Sequence, residues 1–322
     1  MAAIAGYAET AEQLAARVRD ALAGHRADAE IAAEVRQAKL TDCLDDPMID
    51  ALEGAGPLTT AALEAQRDAS ALLPPSNWRL PEAGAPPSAE EQARIVQQAR
   101  TIAMQYTASL PNFLCTETVR RTTGKTGKDA KPRDTLVLDV SFNGKADRYR
   151  LRAINGKQTT KSLYEVGGFR SSGDFGNLQK LVFDPASEAR FEWTGVASLR
   201  GRRVRVFAYA IDAEHSHYGL DFRSFMKGAQ MVADLKGLVY LDGETNKLLR
   251  LRVEAVGMPA RWPVKRTVSV LDYDFADVGG QQYLLPRRSD LRLYLKDGTE
   301  RNVMEFSDYR RFAGEATISF DK

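Results

Sequence analysis

The densest group of residues able to do chemistry is Glu214-His215-Ser216-His217, with Asp212 before it and Asp221 after it. Residues two apart on a strand point to one side, so on a strand His215 and His217 would share a face and could share a metal. Zinc needs three or four ligands, with imidazole nitrogens converging at about 2.0–2.1 Å. A third ligand would have to come from elsewhere, such as Asp212, because His25 lies far upstream among helical residues. The plainer account is an exposed hairpin end, so no metal is expected and His215 and His217 stay as the candidate pair. No serine sits in a G-x-S-x-G elbow. Cys115 has Glu117 two residues on and no histidine nearby in sequence, which suits a structural thiol better than a nucleophile. Gly167-Gly168 and Gly279-Gly280 lack the strand, turn and helix spacing of a phosphate loop and read as turns or bulges.

The most basic patch is Arg200, Arg202, Arg203 and Arg205. An anion site is one reading. The plainer one joins it to Arg148, Arg150, Arg152, Arg250 and Arg252 as the solvated face of a sheet, paired with nearby acids. Stacking on RNA bases would need aromatics on that same face, and Tyr149, Phe191 and Trp193 fall on the opposite phase. No catalytic constellation emerges, so a non-enzymatic protein without a cofactor is expected.

Composition narrows the class further. The 322 residues carry 45 Lys plus Arg against 43 Asp plus Glu, a formal net charge of +2, which gives no field to gather nucleic acid. No run approaches the roughly 20 apolar residues that span a bilayer. The start, MAAIAGYAETAEQ, has neither a cationic n-region nor an apolar h-region. That leaves a cytoplasmic protein or a mature secreted chain whose signal was removed. The two cysteines, Cys43 and Cys115, allow one disulfide or two buried thiols.

The elements that must position these groups come in two kinds. Thr10 with Gln13 forms a capping box ahead of Leu14, Val18, Ala21 and Leu22. Asp28 is placed to cap a second helix, Asp46-Pro47 opens a third and Thr60 a fourth, giving a helical module over residues 1–73. Residues 74–88, with five prolines and no periodicity, read as an extended linker. Ser88 with Glu91 then caps a long helix whose stripe is Ile95, Ala99, Ile102 and Tyr106. Asp174 is a candidate cap for a later short helix carrying Phe175, Leu178 and Leu181.

From Asn112 the pattern alternates with period 2. Leu136, Leu138, Val140 and Phe142 lead through the Asn143-Gly144 turn to Tyr149, Leu151 and Ala153. Ala189, Phe191 and Trp193 alternate with charged residues, and so do Leu249, Leu251, Val253 and Ala255. About ten strands without βαβ alternation predict an α+β protein: residues 89–322 form a curved, mostly antiparallel half-barrel wrapped on the long helix.

Five segments carry a resemblance: YTASLPNFLCTETVRR, SSGDFGNLQKLVFDPASEARFEW, LRGRRVRVFAY, VYLDGETNKLLRLRVEA and DYDFADVGGQQYLLP. They resemble an uncharacterised family of secreted acidobacterial proteins, over most of residues 90–312. The segment AEIAAEVRQAKLTDCLDDPMIDALE is similar to the helical module preceding that domain. More distantly, the D-x-x-T turn, the Arg-rich outer strand and the late VGGQQYLLP strand resemble the lipoprotein-carrier (LolA/LolB-like) half-barrel. That resemblance implies a periplasmic or secreted compartment.

These readings lead to a non-enzymatic binding or carrier module for an apolar ligand or lipid-modified partner, held between the sheet and its helix. The residues expected to line that space are Leu136, Leu138, Val140, Tyr149, Leu151, Phe191, Trp193, Leu249, Leu251 and Val253, with ordinary core packing as the alternative for each. The second reading is a structural or interaction component of the cell envelope with a filled core. A Cys43–Cys115 bridge would clamp the helical module to the sheet, at roughly 4 kcal/mol from loop entropy.

Overall fold

The structure, a computed structural model, describes residues 8–80, 85–125, 130–144, 147–169, 175–223 and 225–312. Helices α1 (Ala11–Ala23), α2 (Asp28–Gln37), α3 (Asp46–Asp50) and α4 (Pro57–Ser70) come first. Thr10 accepts from the Gln13 N–H and Gln13 returns the bond to the Thr10 N–H, closing the expected capping box. Asp28 behaves differently from expectation. It is the first residue of α2, and its carboxylate accepts from the N–H groups of Leu58 and Thr59, so it caps α4 across 30 or so residues. Leu14, Val18, Ile31, Val35, Met48 and Leu63 close a core among these helices.

Helix α5 (Ala89–Ser109) starts at Ser88, whose hydroxyl accepts from the Glu91 N–H, and buries Ile95, Ala99, Ala103 and Tyr106. Eleven strands then form one sheet: β1 (Phe113–Lys125), β2 (Lys131–Phe142), β3 (Asp147–Ile154), β4 (Lys157–Gln158), β5 (Arg190–Leu199), β6 (Arg202–Ile211), β7 (Asp234–Asp242), β8 (Leu248–Val256), β9 (Val264–Asp277), β10 (Gln282–Leu295) and β11 (Gly298–Arg311). Their order is β5-β6-β7-β8-β9-β10-β11-β1-β2-β3-β4, every neighbour antiparallel. This is an up-and-down meander whose first and last strands pair with each other and whose opening lies between β4 and β5. The fold is α+β: an unclosed antiparallel half-barrel with helices.

The chain between the two free edges carries α6 (Leu163–Val166) and α7 (Asn177–Phe183). The helix start expected at Asp174 lies outside the described residues, and the helix itself begins after Gly176. Phe175, Leu178, Val182 and Phe183 join α5 on one face of the sheet, here called the inner face. Phe113 is a centre of that packing, with ring centroids 5.3 Å from Phe142, 5.3 Å from Phe175 and 5.4 Å from Tyr309. Tyr106 ties α5 down by donating its hydroxyl to the Leu284 carbonyl at 2.9 Å.

The outer face overturns one expectation. Arg148, Arg150 and Arg152 are exposed, as expected, and Arg150 and Arg152 share Asp139. Arg250 and Arg252 are not solvated: their side chains are 13% and 6% exposed, because the helical module lies over them. Asp45 takes Arg252 at 2.9 Å, Asp50 takes Arg250, Glu64 takes Arg301 at 2.9 Å, and Asp46 binds Arg292 at 2.6 and 3.0 Å while also holding Arg67. Sheet carboxylates Glu254, Asp272 and Asp290 complete the layer. Charges leave water only when paired and hydrogen-bonded. An acidic edge on α3 and α4 meeting an Arg-rich strand phase satisfies that condition. Small apolar clusters flank the charges, Ala71 with Val268 and Tyr294 on one side and Leu80 with Val204, Tyr240 and Leu249 on the other.

Candidate functional site

Most of the residues expected to line a ligand space pack in the inner-face core. Leu136, Leu138, Val140, Leu151, Leu251 and Val253 are buried there among α5, α7 and their strand neighbours, and Tyr149, Phe191 and Trp193 pack against them. Phe191 stacks on Phe183 of α7 at 5.5 Å, and Trp193 meets Phe207 edge-on at 5.2 Å. Ile95, Ala99, Ala103 and Tyr106 of α5 and Leu178, Val182 and Phe183 of α7 belong to the same buried cluster.

Leu249 is elsewhere. Leu248 pairs with Leu241 and Arg250 pairs with Tyr240, which leaves Leu249 as the extra residue of a bulge. The alternation slips by one at that point. Leu248 takes the inner position and Leu249 joins Tyr240, Val204 and Val206 on the outer face.

The other candidate pairs are likewise separated. Cys43 and Cys115 are both free and buried. Cys115 belongs to the inner core, whereas the Cys43 thiol accepts from Arg266 on the outer face at 3.2 Å, so the sheet stands between them and no bridge clamps the module. Burial raises both thiols above their ordinary range, although Arg266 opposes it at Cys43. His215 and His217 do not share a strand face: Ala213–Ser216 is a helical turn and His217 follows in a left-handed conformation, φ 50°. Asp212 is held by Arg190 at 2.7 and 2.9 Å. No group of three or more His, Cys, Asp or Glu side chains placed to hold a metal occurs among the described residues. The Arg200 cluster is split as well, with Arg200 donating to Asp272 and the Tyr273 carbonyl, Arg205 to Asn246, and Arg202 lying 3.5 Å from Asp242.

What the fold does build is a groove of about 1260 Å³ on the outer face. One wall is the chain leaving α4, Ala71, Leu72 and Leu73, continued by Pro75, Trp78 and Leu80. The floor is sheet: Ala208 of β6 and Leu238 of β7 pair with each other and leave the surface low because alanine stops at Cβ. At the edge strand, Thr194 is the extra residue of a bulge between Trp193 and Gly195, all three line the groove, and so do Glu91 and Ile95 of α5. Of the ten residues chosen for a ligand space, Trp193 borders this groove.

Two properties distinguish it. Leu72 and Leu73 are 49% and 38% exposed, an adjacent pair of large apolar side chains left facing the groove. At the corner below them, Glu254 is surrounded by cations: Arg266 at 2.9 Å, Arg252 at 2.9 Å and Lys236 at 3.3 Å. Burial alone would raise the Glu254 carboxyl, but Arg252 and Arg266 overrule it and hold it at about 2. Sequence reasoning missed the groove because its lining runs from Cys43 to Arg266, across two cores. The available signal was Leu72-Leu73 placed directly before Pro74-Pro75, an apolar pair inside a breaker-rich stretch with no periodicity to bury it.

No protein-family model and no curated protein matches the chain. Among solved structures it is similar to the LolA superfamily protein NE2245 from Nitrosomonas europaea, at 13% identity and TM-score 0.32 over 71% of this chain and 97% of that one. It is also similar to a DUF1329 family protein from Desulfovibrio piger, at 11% identity and TM-score 0.33 over 69% and 95%. A third is the lipoprotein LppX from Mycobacterium tuberculosis, at 11% identity and TM-score 0.26 over 70% and 99%. At this distance they say nothing of what the chain binds.

Proposed function

We propose that the chain is a non-enzymatic, extracytoplasmic binding or carrier module, and that its ligand, an apolar molecule or a lipid-modified partner, occupies the outer-face groove. The observation that carries this reading is the exposed pair Leu72 and Leu73 set into a concavity of about 1260 Å³. Monomeric surfaces rarely leave large apolar side chains clustered in a concave site, and such clusters mark binding sites. The extracytoplasmic compartment rests on the sequence resemblance. No helix among the described residues is long and apolar enough to cross a membrane.

Native mass spectrometry of the protein purified from its own host tests the reading, with a copurified apolar ligand as the expected result. A Leu72→Asp variant should lose it while keeping the fold, because Leu72 is half exposed. A second reading, an interaction component of the cell envelope with a filled core, is favoured by the packing of α5 and α7 against the inner face. A protein that is consistently ligand-free from its host would favour that reading over the carrier.

A further inference from the structure

The groove is apolar along its wall and electrically lopsided. Seven cationic side chains line it against four carboxylates. At the corner below Leu72 and Leu73, Lys236, Arg252 and Arg266 converge on Glu254, Asp45 lies beside Arg252 and Arg266, and Asp46 lies 3.6 Å from Arg252. Lys265 also borders this corner, and its ammonium donates to a neutral group, the Ala260 carbonyl. Along the rest of the groove Arg79, Arg203 and Arg205 stand against Glu91 and Glu192. The groove therefore has an apolar wall with a cationic corner at one end.

An apolar chain alone would leave those cations facing a desolvated ligand, which costs free energy. A free anion alone would leave Leu72 and Leu73 wet. An amphiphile satisfies both, with its hydrocarbon along Leu72, Leu73 and Trp78 and its head against the lysines and arginines, where charge-assisted hydrogen bonds are strongest. We infer that the groove selects amphiphiles with an anionic head, a phosphate or carboxylate on a hydrocarbon chain, and that Lys236 and Lys265 set this preference. The inference rests on the groove being the ligand site.

Trp78 and Trp193 border the groove, so their fluorescence reports occupancy. The full chain is titrated with dodecyl phosphate, with the neutral dodecyl maltoside and with inorganic phosphate, each detergent below its micellar concentration. Dodecyl phosphate is expected to bind about tenfold more tightly than the maltoside, the scale of one charge-assisted contact, and inorganic phosphate is expected to compete poorly. Lys236→Gln with Lys265→Gln should lower dodecyl phosphate affinity about tenfold, to that of the maltoside. Lys236 is half exposed and Glu254 keeps Arg252 and Arg266 as partners without it, so the double variant should fold.

Equal binding of both detergents to the wild-type chain would overturn the head-group preference while leaving the groove as a ligand site. Inorganic phosphate binding as tightly as dodecyl phosphate would also overturn it, pointing to a simple anion site. No binding of either detergent would remove the groove as the ligand site and the preference with it.

Discussion

The inner and outer faces of one sheet are both buried, and they are buried by opposite chemistry. On the inner face, Phe113, Leu251, Leu271 and Tyr273 are sealed by α5 and α7 through apolar contact, with little demand on precise geometry. On the outer face, Arg252 and Arg292 are sealed at the start of α3 by Asp45 and Asp46, and Arg301 by Glu64 of α4, carboxylates that must sit within hydrogen-bonding distance. Alternation along a strand therefore reports which face is polar without reporting which face is wet. A polar phase that is also rich in arginine, in a chain that carries an acidic helical segment elsewhere, is compatible with a second buried interface.

The two faces should fail differently. The largest effect is expected at Arg292, which is 1% exposed and binds Asp46 through two nitrogens. Arg292→Ala leaves Asp46 and Asp290 short of a partner inside the protein and should cost about 3–5 kcal/mol, read by urea unfolding. An effect under 1 kcal/mol would mean that the module does not rest on this layer. Leu251→Ala, on the inner face, should cost about 2–5 kcal/mol by cavity formation, with no dependence on pH.

Acid sharpens the contrast. Burial tends to raise Asp46, Glu64, Glu254 and Asp272, but arginines outweigh it and each is lowered, Glu254 to about 2 from an ordinary 4.5. A carboxyl whose folded value lies below its unfolded one stabilises the fold above the unfolded value and loses that contribution as pH falls through the folded value. Stability should thus hold above about pH 5 and drop steadily toward pH 2. Asp50, raised by burial against the pull of Arg250, offsets a small part of the drop. Thermal melts across that range check this, and Arg292→Ala should flatten the acid limb whereas Leu251→Ala should not.

The smallest effect is expected where the polar face is truly wet. Arg150 is 58% exposed beside Asp139, and Arg150→Ala should change stability by no more than about 1 kcal/mol in the same urea assay. A separate check concerns the thiols. Cys43 and Cys115 should both react with a thiol reagent in the unreduced, denatured protein, since the sheet keeps them on opposite faces.

Much of the scaffold was legible because it is written in short-range periodicity. The Thr10 and Ser88 caps, the stripe of α5 and the alternation from Leu136 to Ala153 each depend on neighbours within a few residues. Where a local rule failed, a longer-range contact had replaced it. Asp28 spends its carboxylate on α4 instead of on its own helix, and the bulge at Leu249 reverses the side-chain phase in a strand whose letters still alternate.

By itself the sequence determined that α5 would cover an antiparallel sheet and, away from the bulge at Leu249, which residues of the alternating strands share a face, because turn residues and side-chain alternation act locally. Only the tertiary structure decided that the helical module docks on the arginine-rich side and that a groove remains between Leu72 and Leu238. Pairing charges such as Asp46 with Arg292 across 246 residues, and leaving a low alanine floor beneath the proline-rich stretch, depend on how separate elements meet in space.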